Sequence, residues 1–218
     1  MTPSELRLLP YSTILDSRAL LCVELAFATA ERDEEGIVRL TRQLHQADNS
    51  TIRAAYETVL QTHLFAGFPK TIFALSLMHK GGLTPPDGID HGLSGHEVSQ
   101  AGQALCERIY AQSYRPLREK MASLHPDFDR WMVNTGYGRV LSRPGLSARE
   151  RELAVLPVLA AQSAWPQLQS HVAGARRCEA LVEEIWASLA VWAQRTDELQ
   201  IASGTKHAVK ALQRLEQL

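Results

Sequence analysis

Residues 137–178, YGRVLSRPGLSARERELAVLPVLAAQSAWPQLQSHVAGARRC, run through a turn, a capped helix, a second turn and a second helix, and they decide the fold. Pro144-Gly145 suits a type II turn, Pro supplying the fixed φ at the first central position and Gly the positive φ at the second. Ser147, with Glu150 three residues on, makes a capping box that opens a helix. Leu153, Leu156, Val158, Leu159 and Ala160 give that helix a broad apolar face, and Pro157 is expected to interrupt it. The pattern changes register over residues 163–166, where Pro166 suits the first turn of a new helix. On that second helix His171, Gly174, Ala175 and Cys178 fall at i, i+3, i+4 and i+7. A histidine and a thiol therefore share a stripe with two small residues that permit close helix approach.

RPGL, RELAVLPVLAA and the spacing from Glu152 to His171 make this stretch resemble the carboxymuconolactone decarboxylase family, which shares its fold with the alkylhydroperoxidase D-like proteins. In the peroxidase branch a Glu is followed after twelve positions by Cys-x-x-Cys and then by a His four residues beyond the second Cys. Those positions read Glu152, Ala164, Gln167 and His171 here, so the acid and the imidazole are present and both cysteines are absent. The decarboxylase branch also lacks the cysteine pair, and the resemblance is closer to it. It implies an all-α, alkylhydroperoxidase D-like fold of two diverged helical repeats, assembled as a homo-oligomer, trimer or hexamer. It further implies a lyase acting on a small carboxylate- or lactone-type substrate without a cofactor or metal.

Outward from this stretch the composition is that of an ordinary globular chain: 218 residues, 45% hydrophobic and 22% charged, with a net charge of −1. That balance offers no electrostatic reason for nucleic acid or an anionic membrane as partner, and favours a small molecule. Cys22, Cys106 and Cys178 are odd in number and widely spaced, which argues for reduced thiols rather than a disulfide framework or a zinc ribbon. The start, MTPSELRLLPYS, lacks the basic and apolar regions of a signal peptide, and no run reaches the roughly 20 apolar residues of a membrane span. A cytoplasmic location is expected.

Helical patterns follow Asp16, with Leu21, Leu25 and Phe27; then Ile37 to Leu44; then Asn49 to Leu64; and then a segment around Ile72 to Leu77 after Gly67 and Pro69. The tract GGLTPPDGIDHGLSGH, residues 81–96, is too rich in Gly and Pro for helix or strand and reads as a connection. Further helices are expected at about 97–110, 117–123, 127–135, 181–193 and 205–218. Slid along itself until Cys22 falls on Glu152, the chain lays LCVELAFATA over RELAVLPVLA and TIRAAYETVL over LVEEIWASLA, which suggests two repeats. In that register Thr41 falls on His171, so the first copy lacks both the acid and the imidazole. The second copy lacks a counterpart of AGFP. The expected organisation is a first repeat over 1–80, a connection over 81–96, and a second repeat over 97–218 carrying the Glu152/His171 motif.

His171 is the candidate catalytic proton donor or acceptor and Glu152 its partner, since an imidazole exchanges protons near neutral pH and a buried carboxylate orients it. A straight antiparallel hairpin leaves the two offset by roughly 9 Å, so they meet only if the helices cross steeply or Pro157 bends the first. Arg143, with Arg139 near it, is a candidate for holding a substrate carboxylate, and Trp165, with Trp131, Trp186, Trp192, Phe65, Phe68 and Phe73, for lining an apolar pocket. Cys178, or Cys22 brought close by the repeat fold, supports an alternative peroxide-reducing function through a lone thiol. A second alternative is a non-catalytic oligomeric scaffold. Asp87, Asp90, His91, His96 and Glu97 have no metal-site spacing, and no metal is expected.

Overall fold

The computed structural model describes residues 1–86 and 94–217, and among them every regular element is helical. In chain order these are α1 (Pro3–Leu8), α2 (Ser17–Glu31), α3 (Glu34–Leu44), α4 (Asn49–Ala66) and α5 (Phe68–Lys80). Then follow α6 (Gly95–Tyr110), α7 (Tyr114–Leu124), α8 (Pro126–Trp131) and a π-helical segment, Met132–Leu141. The chain ends with α9 (Ala148–Ala161), α10 (Trp165–Arg177), α11 (Val182–Ala193) and α12 (Glu198–Glu216). Met1–Pro86 and Gly145–Leu218 form one compact unit, and Asp87–Pro144 a second. No helix among the described residues is long and apolar enough to cross a membrane.

Side-chain caps set the helix starts. Asp16, Asp33, Asp48 and Asp197 each accept a hydrogen bond from a first-turn N–H of α2, α3, α4 and α12. The Ser147–Glu150 capping box opens α9 as expected: the Glu150 N–H donates to Ser147 Oγ at 3.2 Å, and the Ser147 N–H donates to Glu150 Oε2 at 2.7 Å. The Asp197 cap starts α12 well before the apolar pattern from Thr205 indicates.

In the first unit the repeat is visible helix for helix. In the register that lays Cys22 on Glu152, α2, α3, α4 and α5 fall on α9, α10, α11 and α12, and Phe68 and Glu198, the first residues of α5 and α12, coincide. The packing repeats as well. α2 lies on α4 as α9 lies on α11, α3 on α5 as α10 on α12, and α2 packs on α9 at the centre. That pattern is what a pseudo-two-fold axis through the α2–α9 contact produces. Ala26, Ala30, Ala154 and Val158 meet there, small enough to bring the two backbones together. Leu25, Ile37, Leu40, Leu44, Val59 and Met78 fill the core of the first copy, and Leu153, Leu156, Leu168, Val172, Ile185 and Leu189 that of the second. Each copy ends in two consecutive helices, α4 and α5 in the first and α11 and α12 in the second. Only the Gly-Phe-Pro junction is peculiar to the first, where Gly67 turns the chain with φ +85°.

Pro157 does not interrupt α9, which continues to Ala161. A proline inside a helix leaves the carbonyl four residues back without its donor. Here that carbonyl belongs to Leu153, and it accepts a 2.7 Å hydrogen bond from the fully buried Ser188 hydroxyl on α11. The neighbouring helix supplies what the proline withholds.

In the second unit α6 and the π-helical segment cross at two glycines. A Cβ on Gly102 would sit 2.7 Å from the Gly138 nitrogen, and one on Gly138 would sit 2.9 Å from Val98 Cγ1. Tyr137 donates to the Tyr110 hydroxyl at 2.9 Å in the interior of this unit, and Arg118 grips Asp129 through both Nε and Nη2. Of the loop residues considered as metal ligands, Asp87, Asp90 and His91 lie outside the described residues. His96 and Glu97 form the first turn of α6, where Glu97 completes a capping box with Ser94.

Candidate functional site

The geometry of the site begins with the turn between α9 and α10. α9 closes in a Schellman arrangement: the Ala164 N–H donates to the Leu159 carbonyl at 3.0 Å and the Ser163 N–H to the Ala160 carbonyl at 3.0 Å. Ser163 takes the left-handed conformation this requires, with φ +53°. Pro166 follows within the first turn of α10. Glu152 thus lies nine residues before the end of α9, and His171 six residues after the start of α10. The axial mismatch is three residues, roughly 4.5 Å rather than the roughly 9 Å of a longer turn, and two extended side chains close it.

Glu152 and His171 meet. His171 Nδ1 lies 2.9 Å from Glu152 Oε2, and the two residues are only 5% and 2% exposed. A carboxylate on Nδ1 holds the ring in the tautomer with Nδ1 protonated and leaves Nε2 as the nitrogen that exchanges a proton with a bound molecule. Nε2 makes no hydrogen bond to another described residue. Phe65, on the last turn of α4 in the other repeat copy, stands edge-to-face with the imidazole, the ring centroids 5.4 Å apart at 81°. Its carbonyl accepts from Gln162 Nε2 at 3.0 Å, which fastens the end of α4 to the end of α9.

On the other side of α9, Arg151 is buried against α4. Its Nη2 lies 3.2 Å from Glu57 Oε2, its Nη1 donates to Gln61 Oε1 at 3.1 Å, and its carbonyl accepts from Gln61 Nε2 at 3.2 Å. A buried charge is retained only when paired and hydrogen-bonded, and these contacts meet that condition while fixing the second turn of α9, from which Glu152 projects. The Pro-Gly turn leads into the same region. Gly145, at φ +102°, lies against the side chains of Arg53 and Glu57, and its carbonyl accepts from Arg18 Nη2 at 2.6 Å.

Trp165, at the start of α10, stacks on His207 with centroids 5.8 Å apart and meets Trp192 edge-on at 6.3 Å, so its ring belongs to the packing of α10 on α11 and α12. Arg143 and Arg139 belong to the second compact unit. Ala164 and Gln167, at the positions of the missing cysteines, are the N-cap and an exposed first-turn residue of α10. All three cysteines are buried thiols. Burial pushes the Cys22 pKa up to about 11, against the opposing effect of the Thr58 hydroxyl beside it. Among the described residues no three His, Cys, Asp or Glu side chains are grouped to hold a metal.

Arg151, Glu57, Gln61 and Ser188 escaped the sequence reading, and of the aromatic residues it offered as pocket lining Phe65 is the one that stands against His171. One signal was available: in TIRAAYETVLQT, Glu57, Thr58, Gln61 and Thr62 form a polar stripe at helical spacing inside a helix otherwise apolar on most sides, and all four are buried. No curated protein matches the chain. Residues 126–213, which include Glu152, His171 and the whole of α9, α10 and α11, match the model of the carboxymuconolactone decarboxylase family. The fold is all-α and alkylhydroperoxidase D-like, and the segment that matches the carboxymuconolactone decarboxylase family model is the one in which the acid and the imidazole are in contact.

Proposed function

We propose that the protein is a small-molecule enzyme of the decarboxylating kind, in which His171 carries a proton to or from a carboxylate- or lactone-type substrate and Glu152 orients it. The observation that supports this reading is the buried 2.9 Å contact between His171 Nδ1 and Glu152 Oε2. In a decarboxylation the bond to the carboxylate carbon breaks, CO2 leaves, and the electron pair passes into the adjoining unsaturated carbonyl as an enolate. The protonated Nε2 then delivers its proton to carbon, and water restores it. Glu152 holds the ring through Nδ1 and keeps Nε2 aimed at substrate. The same pair run as a base abstracts a proton next to a carbonyl, so related isomerisations share the mechanism. We place this activity in the cytoplasm, on the grounds that the cysteines are few, odd in number and widely spaced, and in a homo-oligomer, on the grounds of the family resemblance.

The thiol alternative draws no comparable support. A peroxidatic cysteine reacts as thiolate, and Cys22, held protonated by burial, is tuned the other way. The test of the proposal is CO2 release from a panel of unsaturated, carboxylated lactones by the wild-type protein and by Glu152→Gln. Turnover that falls on the order of a hundredfold in the variant supports the assignment, as general acid–base catalysis contributes about 10²–10⁴-fold. Turnover insensitive to Glu152 removes it.

A further inference from the structure

We infer that Phe65 is the specificity-determining wall of the Glu152–His171 site, supplied by one repeat copy to the chemistry of the other, and that it selects substrates with a planar, conjugated portion beside the reacting carbon. What is said here of substrate rests on the acid/base reading; what is said of the wall rests on the geometry alone. The Phe65 ring meets the imidazole at 81° with centroids 5.4 Å apart, and the imidazole is otherwise buried. A molecule that reaches the ring must accommodate or displace this neighbour. The residue is also well placed to move without dismantling the core. It is only partly buried, and it lies one residue before the end of α4, next to the Gly67 turn at φ +85°. Its backbone is held there through the carbonyl, which accepts from Gln162 whatever the side chain does.

The repeat gives an independent argument. In the register that lays Cys22 on Glu152, Thr41 corresponds to His171 and Arg195 to Phe65. The copy without the acid and imidazole is therefore also matched by a different residue at the position of Phe65. Arg195 pairs with Asp33 and lies over the Phe27 ring, filling that position with an ion pair. An aromatic occupies the place only where the dyad does. An aromatic face in a site that handles carboxylates offers no charge to them. It offers flat apolar surface, which suits the conjugated part of an unsaturated lactone better than a saturated, branched or second charged group.

The experiment is acylation of His171 by diethyl pyrocarbonate, followed by mass spectrometry of the peptide that contains it, in wild-type protein, Phe65→Leu and Phe65→Ala. Removing an edge-to-face aromatic partner raises the population of accessible imidazole about threefold to tenfold. His171 modification is expected to quicken by that factor in Phe65→Ala and by less in Phe65→Leu, with the reactivity of exposed His96 and His125 unchanged. With a turned-over substrate, Phe65→Ala shifts kcat/KM toward branched, saturated analogues. An unchanged His171 rate in folded Phe65→Ala, or in Phe65→Leu where the alanine variant does not fold, overturns the inference. Modification needs no turnover, so that failure leaves the acid/base reading standing. Full turnover by His171→Gln sinks the acid/base reading whatever Phe65 does.

Discussion

Replacing Ser188 with Ala removes one hydroxyl from the core, and its effect is set by a residue it never replaces, Pro157 on the facing helix α9. The Leu153 carbonyl has no helical donor because Pro157 has no N–H, and Ser188 Oγ, fully buried, donates to it at 2.7 Å. Without the hydroxyl a buried carbonyl is left unsatisfied, at about 1–3 kcal/mol. For a chain of this length each kcal/mol moves the thermal midpoint by about 2–4 °C, so Ser188→Ala is expected to melt about 2–12 °C below wild type. The assay is thermal and urea denaturation of four proteins: wild type, Ser188→Ala, Pro157→Ala and the double variant. Pro157→Ala restores the N–H, and in that background Ser188→Ala is expected to cost much less, giving a coupling energy of the same sign and similar size. The repeat supplies a control. Thr58 corresponds to Ser188 and Phe27 to Pro157; Phe27 keeps its N–H, and the buried Thr58 hydroxyl makes no hydrogen bond to a described oxygen or nitrogen. That hydroxyl lies beside the Cys22 thiol and serves no carbonyl orphaned by a proline, so Thr58→Val is expected to cost less than Ser188→Ala. Equal costs for Ser188→Ala with and without Pro157 would refute the reasoning.

Three further outcomes are expected. Glu57→Leu takes the carboxylate from buried Arg151 and destabilises by about 3–5 kcal/mol, most of which Arg151→Met recovers in the double variant, as measured by urea midpoints. Gly102→Ala places a Cβ 2.7 Å from the Gly138 nitrogen and costs about 1–3 kcal/mol by forcing α6 from the π-helical segment, visible as faster amide exchange in residues 95–141. Cys22, whose pKa burial raises to about 11, contributes stability that is whole below the unfolded thiol value of about 8.5 and is lost as pH rises through the folded value. Cys22→Ala is expected to flatten that alkaline decline in midpoint, and Ellman's reagent near neutral pH to reach Cys22 only after unfolding.

Much of this architecture is legible in the sequence because its signals are local. Ser147 and Glu150 mark the start of α9, Asp16 that of α2, and laying Cys22 on Glu152 aligns the repeats before any packing is known. What is not legible depends on partners far along the chain. Pro157 reads as a break because its remedy, Ser188, comes from another helix. The distance between Glu152 and His171 reads as too long because the mismatch depends on where α9 stops, and a serine, not the usual glycine, takes the left-handed position that stops it. α12 begins early because Asp197 caps a first turn that has little apolar pattern of its own. The helix expected over about 127–135 runs on to Leu141 because its second part is π-helical and does not follow a helix's ordinary period. Phe65 is legible as one of several aromatics that could line a pocket, but its contact with His171 is not, since the two meet only once the two copies are folded together.

The central claim is that Glu152 and His171 act as one unit in proton transfer, and kcat/KM for wild type, Glu152→Gln, His171→Gln and the double variant tests it most directly. Each protein is first shown to be folded by its thermal midpoint, and each is assayed on the carboxylated lactone that the wild type turns over fastest. The account predicts a loss on the order of a hundredfold or more in His171→Gln, with the double variant no worse than that single one, because residues that work as a unit are not additive. Full turnover in His171→Gln, losses that multiply in the double variant, or no turnover of any lactone by the wild type would contradict it.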